Sequence, residues 1–463
     1  MTVARERQRN VKLAALIEEA NWTHAQVAIA FGRVAYERGA TEFASIGRSH
    51  VSKWIAGYTP SGLAPAILAE ALTRQLRRTV TPDEIGLTAS STPPGIDWNA
   101  DTLSTLVDLG RGTLDVERRS ILRAAGYSVA ALAVPGEAWW GQAPLTKASN
   151  AGSRIVGSGD LEAVRETVQL FTRIDQRRGG GHAKAAVVQY LASDVASYLN
   201  GTYTDETIRR GMFSTAGELA YLVGWMAFDN SEHAIAQRYF TVGAKLAAEA
   251  RDPALAGHIL RAMAHQAVDL GHHREAVHVA EASIAGSRYQ EASPRERALL
   301  GVVHARALAA DGQKSQAARA LLRAEDDLRS ATPDDDEPGR VFFFGEASLA
   351  HETACTLRDL GDVQGSIKEF RRSVRTRKAA TFTRTHAVTL GYLGAVQAKS
   401  GAIDEACGTW SEALNVMDGI HSGRALQAVR DMRSGLSNYR AKGIRTVNEL
   451  DQRAARYLAT VAR

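Results

Sequence analysis

Most of the chain shows apolar residues at the spacing of helices that pack in pairs. From about residue 98 to Arg463, apolar positions recur every three or four residues and are interrupted by short turns that carry Gly or Asp. Such spacing marks one face of an α-helix, which is buried against a neighbour. Pro is scarce at 11 residues, which also favours helix. The pattern predicts an all-α chain.

A pair of positions repeats along this region, a small residue followed four residues later by an apolar or aromatic one. The pairs are Ala236 with Phe240, Ala276 with Ala280, Ala317 with Leu321, Ser366 with Phe370, and Ala406 with Trp410, and their spacings are 40, 41, 49 and 40 residues. A glycine, at Gly271, Gly312, Gly361 or Gly401, stands five residues before each of the last four small positions. Glycine permits the left-handed turn that ends a first helix, and the small residue lets a second helix approach it closely.

The repeat resembles tetratricopeptide repeats that are stretched beyond their usual length by longer helices. The longest spacing contains residues 330–340, SATPDDDEPGR, which we interpret as an inserted acidic surface loop. Residues 161–200 are interpreted as an earlier, degenerate unit. The resemblance implies an α-solenoid with a concave surface, formed by the first helix of each pair.

The first 88 residues show a separate, compact helical pattern. Residues 11–17 predict a first helix, Thr23 can cap a second that extends to about Gly39, and GRSHVSKWIAG predicts a third over 47–57. In this third helix Val51, Trp54 and Ile55 share one buried face, and the other faces carry Arg48, Ser49, His50, Ser52 and Lys53. A fourth helix is predicted from Pro65 to Leu76, followed by the turn TPDEIGL.

These patterns divide the chain into four parts. We expect a helix-turn-helix domain over residues 1–88, a linker over 89–97 (ASSTPPGID), a connecting helical segment over 98–150 and the repeat array over 151–463. The formal net charge of the chain is +5, and residues 1–88 carry +3 of it with 11 basic and 8 acidic residues. This balance is compatible with a nucleic-acid partner.

The motif GRSHVSKWIAGYTP, with the apolar helix and TPDEIGL after it, resembles actinobacterial regulators that have an N-terminal helix-turn-helix and C-terminal tetratricopeptide repeats. This group includes repressors of differentiation and secondary metabolism. The resemblance implies a homodimer that binds double-stranded DNA through the polar face of the third helix. Residues 30–46 are too long for the four-residue turn of a compact helix-turn-helix. The alternative is a non-DNA-binding scaffold for protein–protein interaction.

The repeat array is expected to bind an effector, either a peptide or a small molecule, or a protein partner. The candidates are aromatic, basic or hydrogen-bonding residues on the first helices: Tyr221, Trp225, His258, Arg261, His304, Arg306 and His351. Packing between adjacent repeats is the alternative role for them. A basic cluster at Arg371, Arg372, Arg375, Arg377, Lys378 and Arg384 is either a solvated helix face or a site for an acidic ligand.

Several classes of function have no support in the sequence. The chain lacks the Walker A, H-E-x-x-H and G-x-S-x-G motifs, so we expect no enzyme, no catalytic residue and no cofactor. The histidines lack cysteine or paired carboxylate neighbours at zinc spacing, so no metal is expected. Cys355 and Cys407 are expected to be buried thiols. The absence of a signal-like N-terminus, of a membrane-spanning run and of a cysteine framework predicts a cytoplasmic protein.

Overall fold

The computed structural model is all-α, with one short pair of strands in the part of the chain that it describes. It describes residues 9–37, 43, 46–58, 60, 64–82, 84–87, 97–115, 127–141, 154–332, 335–440 and 444–461. The two strands, β1 (Ile155–Val156) and β2 (Thr202–Tyr203), pair in parallel. No helix among these residues has the length and apolar character needed to cross a membrane.

The N-terminal part contains four helices at the predicted places. They are α1 (Val11–Glu19), α2 (His24–Glu37), α3 (Arg48–Ile55) and α4 (Ala64–Leu76). The Asn10 side chain caps α1, because its Oδ1 accepts from Leu13 N at 3.0 Å, and its Nδ2 donates to Ile85 O at 2.8 Å. Leu13, Phe31 and Val51 meet in the centre of this four-helix domain.

The repeat array follows as helices joined mostly by short turns. After α5 (Thr102–Leu114) and α6 (Glu137–Gly141), the helices are α7 (Ser158–Arg178), α8 (Gly180–Tyr190), α9 (Ala196–Leu199), α10 (Glu206–Asp229), α11 (His233–Ala250), α12 (Pro253–Asp269), α13 (His273–Ser283), α14 (Ser287–Gln290), α15 (Pro294–Ala310), α16 (Lys314–Ser330), α17 (Glu346–Leu360), α18 (Val363–Thr376), α19 (Thr383–Lys399), α20 (Ile403–Val416), α21 (Gly423–Arg440) and α22 (Arg445–Val461). A π-helical turn, Leu191–Val195, joins α8 to α9. Five pairs of neighbouring helices form antiparallel hairpins: α10 with α11, α12 with α13, α15 with α16, α17 with α18, and α19 with α20.

The predicted glycine turns and small-residue contacts are confirmed. Gly271, Gly312, Gly361 and Gly401 have φ of 78°, 81°, 89° and 90°, a region in which residues with a Cβ are strained. First helices also carry small residues at the contact: a Cβ on Gly394 would lie 2.5 Å from the Trp410 ring. Trp410 in turn donates from Nε1 to Gly391 O at 3.0 Å. The aromatic side chain of the second helix therefore fits against bare backbone of the first.

The array closes on itself, which the sequence pattern did not predict. Helix α7 contacts α19, and two backbone hydrogen bonds join the α7–α8 turn to the turn before α21. Gly181 N donates to His421 O at 2.9 Å, and His421 N donates to Arg178 O at 2.8 Å. The start of the array, α7 and α8, therefore meets its end, α19 and the turn before α21, and a cavity lies on the concave side of the solenoid.

The connecting region packs on the array and contributes to its core. Trp98 and Leu106 are buried there, and Trp98 meets the rings of Trp139 and Trp140 edge-on at 5.5 and 5.9 Å between centroids. The predicted linker over 89–97 falls outside the described residues except for Asp97, as do 116–126 and 142–150.

Candidate effector cavity and candidate nucleic-acid helix

The concave side of the array forms a cavity of about 730 Å³. Its walls come from α7, α10, α12, α17 and α19, with Arg424 of α21 at one side. Residues 336–344, here called the cover segment, also line it, with the exception of Val341. A volume of this size is typical of sites for small organic ligands, which occupy roughly 300–1,000 Å³.

The cover segment overlaps the predicted surface loop, and here that prediction needs correction. The Arg340 side chain is 9% exposed, and it donates from Nε to Glu296 at 2.7 Å and from Nη1 to Glu218 at 3.2 Å. Burial disfavours the charge of Arg340, but the carboxylate of Glu296 outweighs burial and raises its pKa. Phe342 and Phe344 lie in the turn before α17 and not in that helix; Phe344 is buried and Phe342 is 40% exposed. The C-terminal part of the acidic insertion is therefore tied to the array by ion pairs.

One wall of the cavity is aromatic. Tyr221 and Trp225 lie one turn apart on α10, with ring centroids 6.2 Å apart. Phe342 of the cover segment lines the same cavity. Tyr221 is buried and Trp225 is partly exposed, so these rings offer an apolar surface to a bound molecule.

Arg261 reaches the cavity from α12 and lies against this wall. Its Nη2 donates to the Tyr221 hydroxyl at 2.8 Å, its Nε donates to His258 O at 3.3 Å, and its guanidinium lies 5.5 Å from the Trp225 ring centroid. Arg261 is 2% exposed. No carboxylate lies within ion-pair distance of it among the described residues.

Arg377, just after α18, is a second buried cation of the cavity. Its Nη2 donates to Ala347 O at 2.9 Å and to Ser373 Oγ at 3.1 Å, which fixes one edge of the guanidinium. The Nε–H is buried and has no hydrogen-bond partner in the described part of the chain. Burial lowers the pKa of Arg377 to about 10. Arg377 belongs to the predicted basic cluster, but at 7% exposure it is not part of a solvated face.

His351 of α17 and His265 of α12 also line the cavity. Burial, then the charge of Arg377, lowers the pKa of His351 well below its ordinary value; for His265, burial and then Arg306 do the same. Both imidazoles are therefore neutral near pH 7. His351 Nδ1 lies 2.9 Å from Thr389 Oγ1, which sets its ring orientation.

Four of the seven predicted effector residues meet in this cavity: Tyr221, Trp225, Arg261 and His351. The expectation of one shared surface fails for the other three. His258 is fully buried and lies 2.9 Å from Glu296 Oε1, and burial lowers its pKa to about 4. Arg306 pairs with Asp269 and Glu352 and lines a neighbouring pocket of about 580 Å³. His304 lies in a separate groove with Arg319 and Arg323.

The closure of the array is held by a buried ionic cluster, here called the closure network, of Arg384, Asp175, Asp229 and Arg424. Arg384 donates to Asp229 Oδ1 at 2.9 Å and to Asp175 Oδ2 at 3.1 Å, and Arg424 donates to Asp229 Oδ1 at 3.1 Å. Burial raises the pKa of Asp175 to about 6 against the opposing charge of Arg384. Asp229 is equally buried, but Arg384 and Arg424 together hold its pKa below the ordinary value. Arg384 is 1% exposed, so of the two roles considered for the basic cluster it does not have that of a solvated face.

The predicted nucleic-acid residues lie on α3, a helix with two contrasting faces. Val51, Trp54 and Ile55 are buried in the four-helix domain, whereas Arg48, Ser49 and Lys53 are exposed. No carboxylate pairs with Arg48 or Lys53 among the described residues. These two cations are therefore available to a polyanion.

His50 and Ser52 are partly occupied by contacts within the domain. The Gly47 N–H donates to His50 Nδ1 at 3.2 Å, which helps to cap α3. The Ser52 hydroxyl donates to Arg48 O at 3.1 Å and lies 3.0 Å from His24 Nδ1 of α2. These residues therefore position α3 against the helix before it, and they are less free to contact a partner than Arg48 and Lys53.

A short stretch connects the four-helix domain with the array physically. Val129 N donates to Glu70 Oε1 of α4 at 3.0 Å. Beside it, Ser128 N donates to Gln237 Oε1 at 2.9 Å and Gln237 Nε2 donates to Ser128 O at 2.7 Å. The Tyr127 ring stacks on His272 at 5.5 Å. Residues 127–129 therefore contact α11, the α12–α13 turn and α4.

The described residues offer little for metal or thiol chemistry. They contain no group of three or more His, Cys, Asp or Glu side chains placed to hold a metal. Cys355 is fully buried, and burial raises the pKa of its thiol to about 12. Cys407 is 8% exposed, and burial raises its pKa as well. Neither thiol is activated as a nucleophile.

Comparison with known proteins gives two findings. A family model described as the SP15 N-terminal domain matches residues 13–88, the region of helices α1–α4 and the turn after them. Among solved structures, the chain is similar to a Rap protein complexed with competence and sporulation factor, with 11% sequence identity and a TM-score of 0.37, over 65% of this chain and 98% of that chain. No curated protein matches the chain significantly. Similarity at this level leaves the function of the chain to be argued from its own residues.

Proposed function

We propose that the protein is a DNA-binding transcriptional regulator whose array binds an effector in the cavity and so controls operator binding. The observation that carries the proposal is α3, whose apolar back is buried while Arg48, Ser49 and Lys53 face solvent without acidic partners in the described part of the chain. A short helix with this polarity suits the major groove, where Arg pairs with guanine and Lys contacts phosphate.

The same proposal includes a route from effector to DNA. Residues 127–129 are bonded to Glu70 of the four-helix domain and to Gln237 of the array. Gln237 lies on α11, which packs against α10, the helix that supplies Tyr221 and Trp225 to the cavity. An effector that shifts α10 therefore biases the position of α4 and, through α2, which contacts both helices, of α3. Because one short helix buries little DNA surface, the proposed regulator acts as a homodimer.

No catalytic step belongs to this proposal, since its chemistry is that of reversible binding. The rival function is a scaffold that holds a protein partner on the array and does not bind DNA. The two differ in what the exposed face of α3 does, so that face is the place to test.

The test measures binding of the full chain to a labelled mixed-sequence DNA duplex by fluorescence anisotropy at several salt concentrations. Each phosphate contact adds about one to the slope of log affinity against log salt, so we expect Lys53→Ala to lower that slope by about one. Lys368→Ala, which removes an exposed lysine from α18 of the array, is the matched control and is expected to leave the slope unchanged. DNA binding that is absent in the wild type, or equal in the wild type and Lys53→Ala, refutes the proposal and favours the scaffold.

A further inference from the structure

Two buried arginines of the cavity, Arg261 and Arg377, have no carboxylate within ion-pair distance among the described residues. Arg340 and Arg384, also nearly inaccessible to solvent, are each paired with two carboxylates or more. Arg261 and Arg377 are 2% and 7% exposed and are bonded only to carbonyl or hydroxyl oxygens among the described residues. A buried cation without a counter-charge is unfavourable unless something else supplies the charge.

The acidic side chains deep in the cavity are already paired. Glu218 is bonded to Arg340, Asp175 to Arg384, and Glu352 lies 3.5 Å from Arg306. The two lining acids without such a pair, Glu162 and Asp336, are exposed at its edge. The interior therefore has unmatched positive charge at Arg261 and Arg377 and no unmatched negative charge of comparable burial.

Arg377 also has an unused hydrogen-bond donor. It lines the cavity, its Nε is buried without a hydrogen-bond partner among the described residues, and its Nη2 is held by Ala347 and Ser373. Burial lowers the pKa of this guanidinium to about 10 against the opposing effect of the Glu352 charge, and the group remains protonated near pH 7. Guanidinium groups pair well with planar or tetrahedral oxyanions.

The shape and the aromatic lining of the cavity restrict the ligand further. Tyr221, Trp225 and Phe342 form an aromatic wall, and Arg261 lies between that wall and the interior. Helix α7 meets α19, and the cavity lies on the concave side of the array. Its volume of about 730 Å³ suits a compact molecule.

We propose that the effector of this cavity is a compact organic anion with an apolar or aromatic body, whose anionic group binds Arg377 and Arg261 while its body packs on the Tyr221–Trp225 wall. This inference rests on the proposed function, in which the cavity is the effector site. An extended peptide and a cationic ligand are the occupants it excludes.

The experiment compares two fluorescent probes that have nearly the same shape but differ in charge, so that different effects of the substitutions are expected for them. 8-Anilinonaphthalene-1-sulfonate is an organic anion, and N-phenyl-1-naphthylamine is the same aromatic body without the sulfonate. The full chain is titrated with each, as wild type and as the Arg377→Gln and Arg261→Gln variants. Arg173→Gln, which changes an exposed arginine at the edge of the cavity, is the control.

We expect saturable binding of the sulfonate and a loss of affinity of roughly tenfold or more in each buried-arginine variant, because a hydrogen bond to a charged group contributes about 1.5–3 kcal/mol. The neutral probe is expected to change less than about twofold, and its retained binding shows that the cavity is still folded. Arg173→Gln is expected to leave both probes unchanged. Sulfonate binding that does not saturate, or that survives Arg377→Gln, overturns the proposal, as does an equal loss for both probes.

The titration contains no DNA, so its failure is distinguishable from failure of the regulator. Salt-dependent DNA binding through Lys53 together with no anion binding supports the proposed regulator and refutes the anionic effector. Anion binding without DNA binding supports the anionic ligand of the cavity and refutes the proposed regulator.

Discussion

Removal of Arg384 should open the array where α7 and the α7–α8 turn meet α19 and the turn before α21, here called the seam. Arg384 lies on α19 and is almost fully buried. It donates to Asp175 of α7 and to Asp229 of α10. Arg384→Met keeps the length and apolar stem of the side chain but leaves two buried carboxylates short of a partner. Breaking a buried pair in this way costs about 3–5 kcal/mol.

The assay is native-state hydrogen exchange of the amides that bond across the seam, Gly181 and His421. If they exchange by opening of the seam, a loss of about 3–5 kcal/mol speeds their exchange roughly a hundred- to several-thousand-fold. The control is Arg371→Ala, since Arg371 and Glu405 form an exposed pair that contributes at most about 1 kcal/mol. Exchange at Gly181 and His421 that is unchanged in Arg384→Met would refute the view that the closure network holds the array shut.

Two further predictions concern protonation and packing. The pKa of Asp175 is raised from 3.8 to about 6, so its ionisation removes stability as pH rises through that window. The free energy of unfolding of Asp175→Asn, minus that of wild type, should therefore rise by about 3 kcal/mol from pH 4 to pH 7, as measured by urea denaturation. A difference that does not change with pH would contradict this prediction. Gly394→Ala should lower the thermal midpoint because its Cβ meets Trp410, whereas Gly408→Ala, with open space at the Cβ, should raise stability by about 0.5–1 kcal/mol. Equal effects of the two substitutions would show that the Gly394–Trp410 contact is not tight.

The repeat architecture was predictable because each hairpin is a local unit. The glycine turns join the two helices of a hairpin, and the small positions, such as Ala276 and Ala406, lie in the first turn of the second helix, so sequence spacing alone places them. The buried face of α3 was predictable for the same reason, since Val51, Trp54 and Ile55 are set by helical periodicity.

Contacts between distant repeats were not predictable from that spacing. Asp175 and Arg384 are 209 residues apart, and Arg340 and Glu218 are 122 apart, and nothing local marks them as partners. The residues of the predicted basic cluster lie in three environments. Arg371 is exposed, Arg377 is a buried cation of the cavity, and Arg384 belongs to the closure network. A charged residue inside an Ala-rich helix is a signal for such a role, but the direction it faces depends on the whole superhelix.

The candidate effector residues also include some that sequence spacing placed correctly and some that it did not. Tyr221, Trp225 and Arg261 were placed together because neighbouring first helices stack side by side. His304 was misplaced because its direction around α15 turns it toward α16 instead of the cavity. Periodicity identifies the buried sector of a helix, but in a solenoid that sector faces two neighbours and the concave side at once.

The most direct test of the regulator is genome-wide chromatin capture of the tagged full chain beside its Arg48→Ala/Lys53→Ala double variant, expressed at equal abundance. The account predicts sharp, recurrent peaks that share a sequence motif for the wild type, and loss of those peaks in the variant, since a lost Arg–guanine pair alone weakens specific binding by about 1–3 kcal/mol. Absence of peaks in the wild type, or the same peaks in the variant, would contradict DNA recognition by α3.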